Sequence, residues 1–151
     1  MSFIENIGRE DIKSAIHSDA GENSMLIQIS DVGASHPIPL KSFKEIYQFN
    51  FEDVEDDSPG AITDEQAEKI AHLLRRAVEL RMNVIVHCHA GIFRSGAVVE
   101  CGEFIGMTPS DRFRDPNRRV YKKIMRALGH DVIEPPSSAF AACFYSRAYD
   151  F

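Results

Sequence analysis

A capped helix followed directly by a wholly apolar segment constrains the fold of this chain more than any other feature. Residues 63–66 have the form of a capping box, and apolar side chains then recur at helical intervals, which predicts a helix over residues 64–81. Residues 84–86, Val-Ile-Val, are apolar at every position, as expected of a strand buried on both faces of a parallel sheet. After a turn bracketed by glycines, residues 97–107 again favour helix. This succession predicts a layered α/β fold.

The rest of the chain continues the alternation of strands, loops and helices. The predicted segments are strands over 24–30 and 43–51, loops over 36–39, 52–60 and 108–116, a helix from Pro116 to Gly129, and a last helix over 138–149. Pro116 suits the first turn of its helix, and Gly129 suits the position just past the end. We therefore expect a central, mostly parallel sheet flanked by helices.

Size and composition exclude several classes of protein. With 151 residues, of which 44% are hydrophobic, the chain suits a single domain over residues 1–151, since domains commonly hold about 100–200 residues. It has no apolar run of the roughly 18 residues that a membrane span needs, and its acidic N-terminus lacks the pattern of a signal peptide. The net charge of −6 argues against nucleic-acid and anionic-membrane partners. Three cysteines without framework spacing favour free thiols and a cytoplasmic location, with Cys101 and Cys143 as core residues of predicted helices.

A cysteine and an arginine stand six positions apart in the turn that follows the apolar strand. The residues between Cys88 and Arg94 can curl so that successive backbone N–H groups point into one concavity, which makes an anion-binding nest. The helix that starts near Arg94 directs the positive end of its dipole at the same place, and the guanidinium can hold two phosphate oxygens. Gly91 permits a backbone conformation that a Cβ would resist. The spacing predicts an oxyanion site whose members are His89, Ala90, Gly91, Ile92, Phe93 and Arg94, with the Cys88 sulfur beneath the bound phosphorus.

The same positive field favours an ionised thiol, and we expect Cys88 to be a thiolate at neutral pH. An ionised thiol needs no base, so His87 is expected to orient the loop by hydrogen bonds. The Ser95 hydroxyl can donate to the sulfur and assist its departure from phosphorus. His89 either faces substrate or lines the rim of the site, and the sequence leaves both open. The plain alternative is that Cys88 is only a small buried residue.

The pattern His-Cys-x5-Arg-Ser at residues 87–95 resembles the signature of the cysteine-dependent protein tyrosine phosphatases, and the short chain is similar to their compact dual-specificity branch. The resemblance implies a phosphate-binding loop between a strand and a helix, and hydrolysis through a phosphocysteine without a metal or other cofactor. It implies that Cys88 is the nucleophile, that Arg94 binds phosphate and stabilises the transferring group, and that residues 89–94 donate backbone N–H groups. Ser95 would assist breakdown of the intermediate. The implied substrate is a phosphorylated protein or peptide carrying phosphotyrosine, with phosphoserine and phosphothreonine left open.

The resemblance also implies a general acid, an aspartate on a separate mobile loop ahead of the nucleophile. Residues 52–57, the acidic loop, hold five acids in six positions, and Phe51-Glu52-Asp53 resembles the aromatic-x-Asp arrangement of the family, although Trp-Pro-Asp is missing. We assign Asp53, with Asp56 and Asp57 as alternatives; a solvated acidic turn is the plain interpretation of most of these acids. Mutual repulsion is expected to raise the pKa of one or more of them, which suits an acid that starts protonated.

Other functions remain as alternatives. A lipid or nucleotide phosphatase is one, but phosphoinositide enzymes of the family tend to carry lysines in the loop, and residues 89–93 hold none. A rhodanese-like sulfurtransferase would not call for Arg94 and Ser95, and an inactive phosphate-binding module would not need Cys88. Residues 112–126 hold seven basic side chains, which form either a solvated helix face or a surface that steers an acidic partner; we favour the solvated face.

Overall fold

Five parallel strands and four helices make up the part of the chain that the computed structural model describes, residues 2–131. The elements in chain order are β1 Phe3–Gly8, α1 Arg9–Ser14, β2 Ser24–Ser30, β3 Glu45–Asn50, α2 Asp64–Leu80, β4 Asn83–Cys88, α3 Arg94–Phe104, β5 Thr108–Pro109 and α4 Arg118–Ala127. The sheet order is β3-β2-β4-β1-β5, and every pair of neighbouring strands is parallel. The predicted α/β fold with a mainly parallel sheet is confirmed. The predicted helix over 138–149, with Cys143, lies outside the described residues.

Both faces of the sheet are covered, which explains the apolar run in β4. Val84 and Val86 belong to the larger core cluster, which also contains buried residues of α2, α3 and α4. Ile85 points to the other face and packs in a smaller cluster with Ile12 of α1. A central strand with helices on both sides has no solvent-facing position, so alternation of polar and apolar residues is lost, as predicted.

The helix boundaries follow from their caps. Thr63 and Gln66 form the predicted capping box of α2, with both reciprocal hydrogen bonds present. Gly129 has φ +92° just past the end of α4, as expected of a helix-terminating glycine. Pro116, however, lies ahead of its helix: Asn117 is the N-cap and Arg118 the first helical residue, so the prediction of Pro116 in the first turn is wrong. The described helices include none long and apolar enough to cross a membrane.

Three elements escaped the sequence patterns. β1 holds Glu5 and Asn6 in its interior, and these polar residues hide a strand that is buried along most of its length. The Glu5 carboxylate is compensated by the Arg112 guanidinium, with Nε 3.1 Å from Oε2. α1 and β5 are too short to show a period, and β5 occupies the start of the predicted loop 108–116. α3 begins at Arg94, as predicted for the anion site, and ends at Phe104, three residues before the end of the predicted segment 97–107.

Candidate active site

The site lies at the edge of the sheet where the parallel strands end. Cys88 is the last residue of β4, and the neighbouring strands β1 and β2 end at Gly8 and Ser30. In open parallel sheets this edge is where ligands bind, because the loops that leave adjacent strands diverge there. The cysteine loop, residues 88–95, leaves β4 at this edge and leads into α3.

The Cys88 sulfur is surrounded by hydrogen-bond donors. The backbone N–H of Gly91 lies 3.3 Å from Sγ, and that of Ser95 lies 3.4 Å away. The Ser95 hydroxyl oxygen is 3.2 Å from the same sulfur. Cys88 is 2% exposed, so these contacts are made out of bulk water. Two backbone N–H groups and one hydroxyl therefore converge on a single buried sulfur.

The carbonyl groups of the cysteine loop are bound from outside. His89 O accepts from the N–H of Arg9, Ile92 O accepts from that of Asp115, and Phe93 O accepts from that of Asn117. The described residues contain no cis peptide bond, and a trans peptide directs its N–H opposite to its C=O. The N–H groups that follow these carbonyls therefore point away from the residues that bind the carbonyls, an orientation compatible with a nest for an anion.

Gly91 is required by the close approach of the cysteine loop to β1. Its φ is +76°, and a Cβ at this position would lie 2.3 Å from the nitrogen of Gly8 and 2.4 Å from the carbonyl carbon of Ile7. The Asn6 side chain donates to Gly91 O at 2.8 Å and so fixes the loop from the same strand. The predicted need for glycine is thereby explained by both conformation and space.

The Arg94 side chain links the cysteine loop, which follows β4, to the residues just past β2 and β3. Its side chain is 4% exposed, and its Nη1 lies 2.8 Å from Oδ1 of Asp31, just past β2. The same Nη1 donates to the carbonyl oxygen of Phe51, just past β3, at 2.7 Å. Its Nε has no hydrogen-bond partner in the described part of the chain. The guanidinium is thus held at the sheet edge with a buried donor still available to an anion.

His87 is fully buried, and neither ring nitrogen has a hydrogen-bond partner among the described residues. Burial lowers the pKa of His87 to about 4, so the ring is neutral at pH 7. A weaker backbone interaction with Cys88 acts to raise the pKa of the ring, so the prediction that this side chain orients the loop by hydrogen bonds stays a prediction. His89, by contrast, is exposed at the rim.

The three candidate acids have different partners. Asp53 is exposed, and its Oδ1 accepts a hydrogen bond of 2.8 Å from the Asn117 side chain, which belongs to the residue that also binds the cysteine loop. Asp57 pairs with Arg119 at 2.6 Å. Asp56 is bound by the hydroxyl and the N–H of Ser58, and these bonds lower its pKa. Asp56 is therefore not an acid whose pKa is raised, because the hydrogen bonds from Ser58 outweigh the effect of burial.

Most of the basic side chains in residues 112–126 form ion pairs with carboxylates. The pairs are Arg112 with Glu5 and Asp11, Arg114 with Glu100 and Glu103, Arg118 with Glu55, Arg119 with Asp57, Lys123 with Asp64, and Arg126 with Asp131. Two of these pairs tie the acidic loop to α4. The stretch is therefore more than the solvated helix face that the sequence favoured, since it also holds neighbouring segments together.

Sequence patterns missed three residues that shape the site: Asn6, Asp31 and Asn117. Asn117 carries the one signal that could have been used, because asparagine is a preferred N-cap and follows a proline here. The partners of Asn6 and Asp31 lie 85 and 63 positions away in the chain, so no local pattern marks them.

The buried thiol of Cys101 belongs to the core rather than to the site. It is 0% exposed, and burial raises its pKa well above the ordinary value. The prediction of a packing role for Cys101 is confirmed. Within residues 2–131, no group of three histidine, cysteine or acidic side chains is arranged to hold a metal ion.

Comparison with known proteins shows similarity of fold. No family model and no curated relative matches the sequence. Human DUSP28 superposes with a TM-score of 0.50 at 12% identity, covering 95% of this chain and 94% of that one. OH1 from the Orf virus, described as a tyrosine phosphatase with triple substrate specificity, superposes with a TM-score of 0.49 at 15% identity, covering 85% and 83%. The chain therefore has the α/β fold of human DUSP28, in agreement with its resemblance to the compact dual-specificity phosphatases.

Proposed function

We propose that this chain is a metal-independent phosphomonoester hydrolase that acts through a phosphocysteine at Cys88. The observation that carries the proposal is the convergence of two backbone N–H groups and the Ser95 hydroxyl on one buried sulfur. The neighbouring loop N–H groups and Arg94 supply positive potential for an anion above that sulfur. A structural cysteine needs none of these donors.

In the first step the Cys88 thiolate attacks phosphorus, and the bond from phosphorus to the ester oxygen breaks. Asp53 gives its proton to the departing oxygen, which leaves as an alcohol or phenol. Arg94 stabilises the charge on the transferring group through its buried Nε, which has no partner among the described residues, while Nη1 keeps its bonds to Asp31 and Phe51. The loop N–H groups bind the phosphoryl oxygens.

In the second step water attacks phosphorus and the bond from sulfur to phosphorus breaks. Asp53, now ionised, takes a proton from the water, and inorganic phosphate is released. The Ser95 hydroxyl, 3.2 Å from Sγ, donates to the sulfur as negative charge returns to it. His87 takes no proton in this scheme, because its ring is buried and neutral.

The proposed substrates are phosphorylated proteins or peptides in the cytoplasm, with phosphotyrosine first and phosphoserine and phosphothreonine as further candidates. Phe93 and His89 are exposed at the rim of the cysteine loop, where an aromatic face could meet the substrate side chain. The loop residues 89–93 contain no lysine, which argues against the multiply charged head group of a phosphoinositide.

Hydrolysis of p-nitrophenyl phosphate in EDTA tests the proposal. We expect turnover that EDTA leaves unchanged and vanadate inhibits, and that is lost in Cys88→Ser. The matched control is Cys101→Ala, which removes a buried thiol outside the site and should retain turnover. Acid quenching followed by mass spectrometry should reveal a phosphoryl group on Cys88, and more of it in Ser95→Ala.

The outcomes separate the alternatives. Turnover that survives Cys88→Ser, or that EDTA abolishes, would rule out the thiolate mechanism. Vanadate binding without any turnover would indicate a phosphate-binding module. A panel of phosphotyrosine, phosphoserine and phosphothreonine peptides together with phosphoinositides then identifies the substrate class.

A further inference from the structure

Asn117 is hydrogen-bonded both to the cysteine loop and to Asp53. It is 3% exposed, at the N-terminus of α4. Its backbone N–H donates to Phe93 O at 3.0 Å. Its Nδ2 donates to Asp53 Oδ1 at 2.8 Å and to Val54 O at 3.2 Å. The residue therefore spans the gap between the two loops that the proposed reaction needs.

Both the nitrogen and the oxygen of the Asn117 side-chain amide are hydrogen-bonded. While Nδ2 reaches the acidic loop, Oδ1 accepts the N–H of Val120 at 3.0 Å and caps α4. The amide plane is thus fixed by the helix, and its donor side has one orientation. A side chain anchored in this way can set the position of a partner that is otherwise exposed.

The acidic loop is held on both sides of Asp53. Ahead of it, Arg94 binds the carbonyl of Phe51 at 2.7 Å. Behind it, Glu55 accepts from the backbone N–H of Arg118 at 2.8 Å. Asp53 lies between these two ties, and its own contact is the Asn117 amide. This arrangement restrains the carboxyl group without burying it.

We propose that Asn117 is a positioning residue that orients Asp53 for proton transfer to the leaving group; this rests on the proposed function. The amide is a donor, so it pairs with an acceptor oxygen of the carboxyl group. When Asp53 is protonated, Oδ1 is then the carbonyl oxygen and Oδ2 carries the proton. Asn117 thereby determines which oxygen delivers the proton, and it sets that oxygen relative to the cysteine loop.

The test compares aryl phosphates whose leaving groups differ in basicity. Protonation matters most when the leaving group is basic, so phenyl phosphate depends on a general acid more than p-nitrophenyl phosphate does. Asn117→Ser keeps a side-chain oxygen for the cap but loses the amide donor. We expect it to lower kcat on phenyl phosphate by about 10–100-fold and on p-nitrophenyl phosphate by only a few-fold, as for a misplaced catalytic group.

Three controls make this readout specific. Asn23→Ser removes an amide that binds backbone carbonyls far from the site, at Leu80 and Arg81, and should leave both activities unchanged. Asp53→Asn should reproduce the leaving-group dependence of Asn117→Ser, and the double variant should be no worse than Asp53→Asn alone. Vanadate affinity should stay within a few-fold of the wild type, because the cysteine loop keeps the Asn117 backbone bond.

An equal loss on all leaving groups, or a parallel loss of vanadate affinity, would overturn the proposal, since it would mean that Asn117 supports the cysteine loop. Unchanged kinetics would overturn it as well. Should Asn117→Ser unfold, Asn117→Asp retains both the size and the cap while removing the donor, and the same leaving-group dependence is required of it. Absence of turnover in the wild type would instead refute the proposed function itself.

Discussion

The buried ring of His87 should make the stability of the protein sensitive to mild acid. Burial lowers the pKa of this histidine from 6.5 to about 4. Between these two values the unfolded chain binds a proton at His87 and the folded chain does not, so stability falls as the pH falls. The contribution of the buried neutral ring to stability is fully present above pH 6.5 and declines as the pH falls to 4. This direction is expected of a base that is buried in its neutral form.

The size of the effect follows from the shift. Lowering the pKa of His87 from 6.5 to about 4 corresponds to a maximum change of about 3 kcal/mol in the free energy of unfolding. About 2 kcal/mol of this is lost between pH 7 and pH 5. Native domains are stable by only about 5–15 kcal/mol, so the loss is readily measured. Urea unfolding followed by circular dichroism at pH 7, 6 and 5 gives the free energy of unfolding at each pH.

The variant His87→Asn isolates this group. It cannot titrate in this range, so its free energy of unfolding should change by about 2 kcal/mol less than that of the wild type between pH 7 and pH 5. His72→Asn, at an exposed position of α2, is the matched control for the loss of a histidine ring. If His87→Asn and the wild type lose stability in parallel, burial of a neutral His87 is not the source of the acid sensitivity.

Three further predictions concern other parts of the fold. Gly91→Ala places a Cβ 2.3 Å from the β1 backbone and should cost at least about 2 kcal/mol in urea unfolding, whereas Gly21→Ala, with the same φ of +76° but open space, should cost about 1 kcal/mol. Glu45→Gln removes a pair with Arg76 at 2.6 Å and should cost about 0.5–1 kcal/mol at pH 7. Because Arg76 lowers the pKa of Glu45 to about 2, the difference between Glu45→Gln and the wild type should persist above pH 4.5 and shrink as the pH falls toward 2. Iodoacetamide at pH 8 should leave Cys101 unmodified in the folded protein and alkylate it in urea, as peptide mass mapping would show, because burial raises the pKa of this thiol.

Elements with a local signature could be predicted from sequence. The capping box and apolar stripe of α2 lie within a few turns of one another, and the apolar run of β4 needs only its own residues to be recognised. The cysteine loop is equally local, because a nest and the following helix are formed by consecutive residues.

The strand β1 could not be predicted in the same way. Its polar residues Glu5 and Asn6 can be buried because distant residues, among them Arg112 and Gly91, provide partners for them. A hydropathy pattern records the cost of burying such groups but not the compensation that tertiary contacts supply.

By itself the sequence determined the α/β class and the position of Cys88 and Arg94 at a strand–helix turn, because these depend on neighbouring residues. Tertiary structure alone decided which groups surround them. Asp31 and Phe51 meet Arg94 only because β2, β3 and β4 lie side by side and parallel, so their ends share one edge. Asn117 reaches Asp53 only because α4 packs beside the acidic loop, and hydrogen bonds between residues 64 positions apart leave no trace in local periodicity.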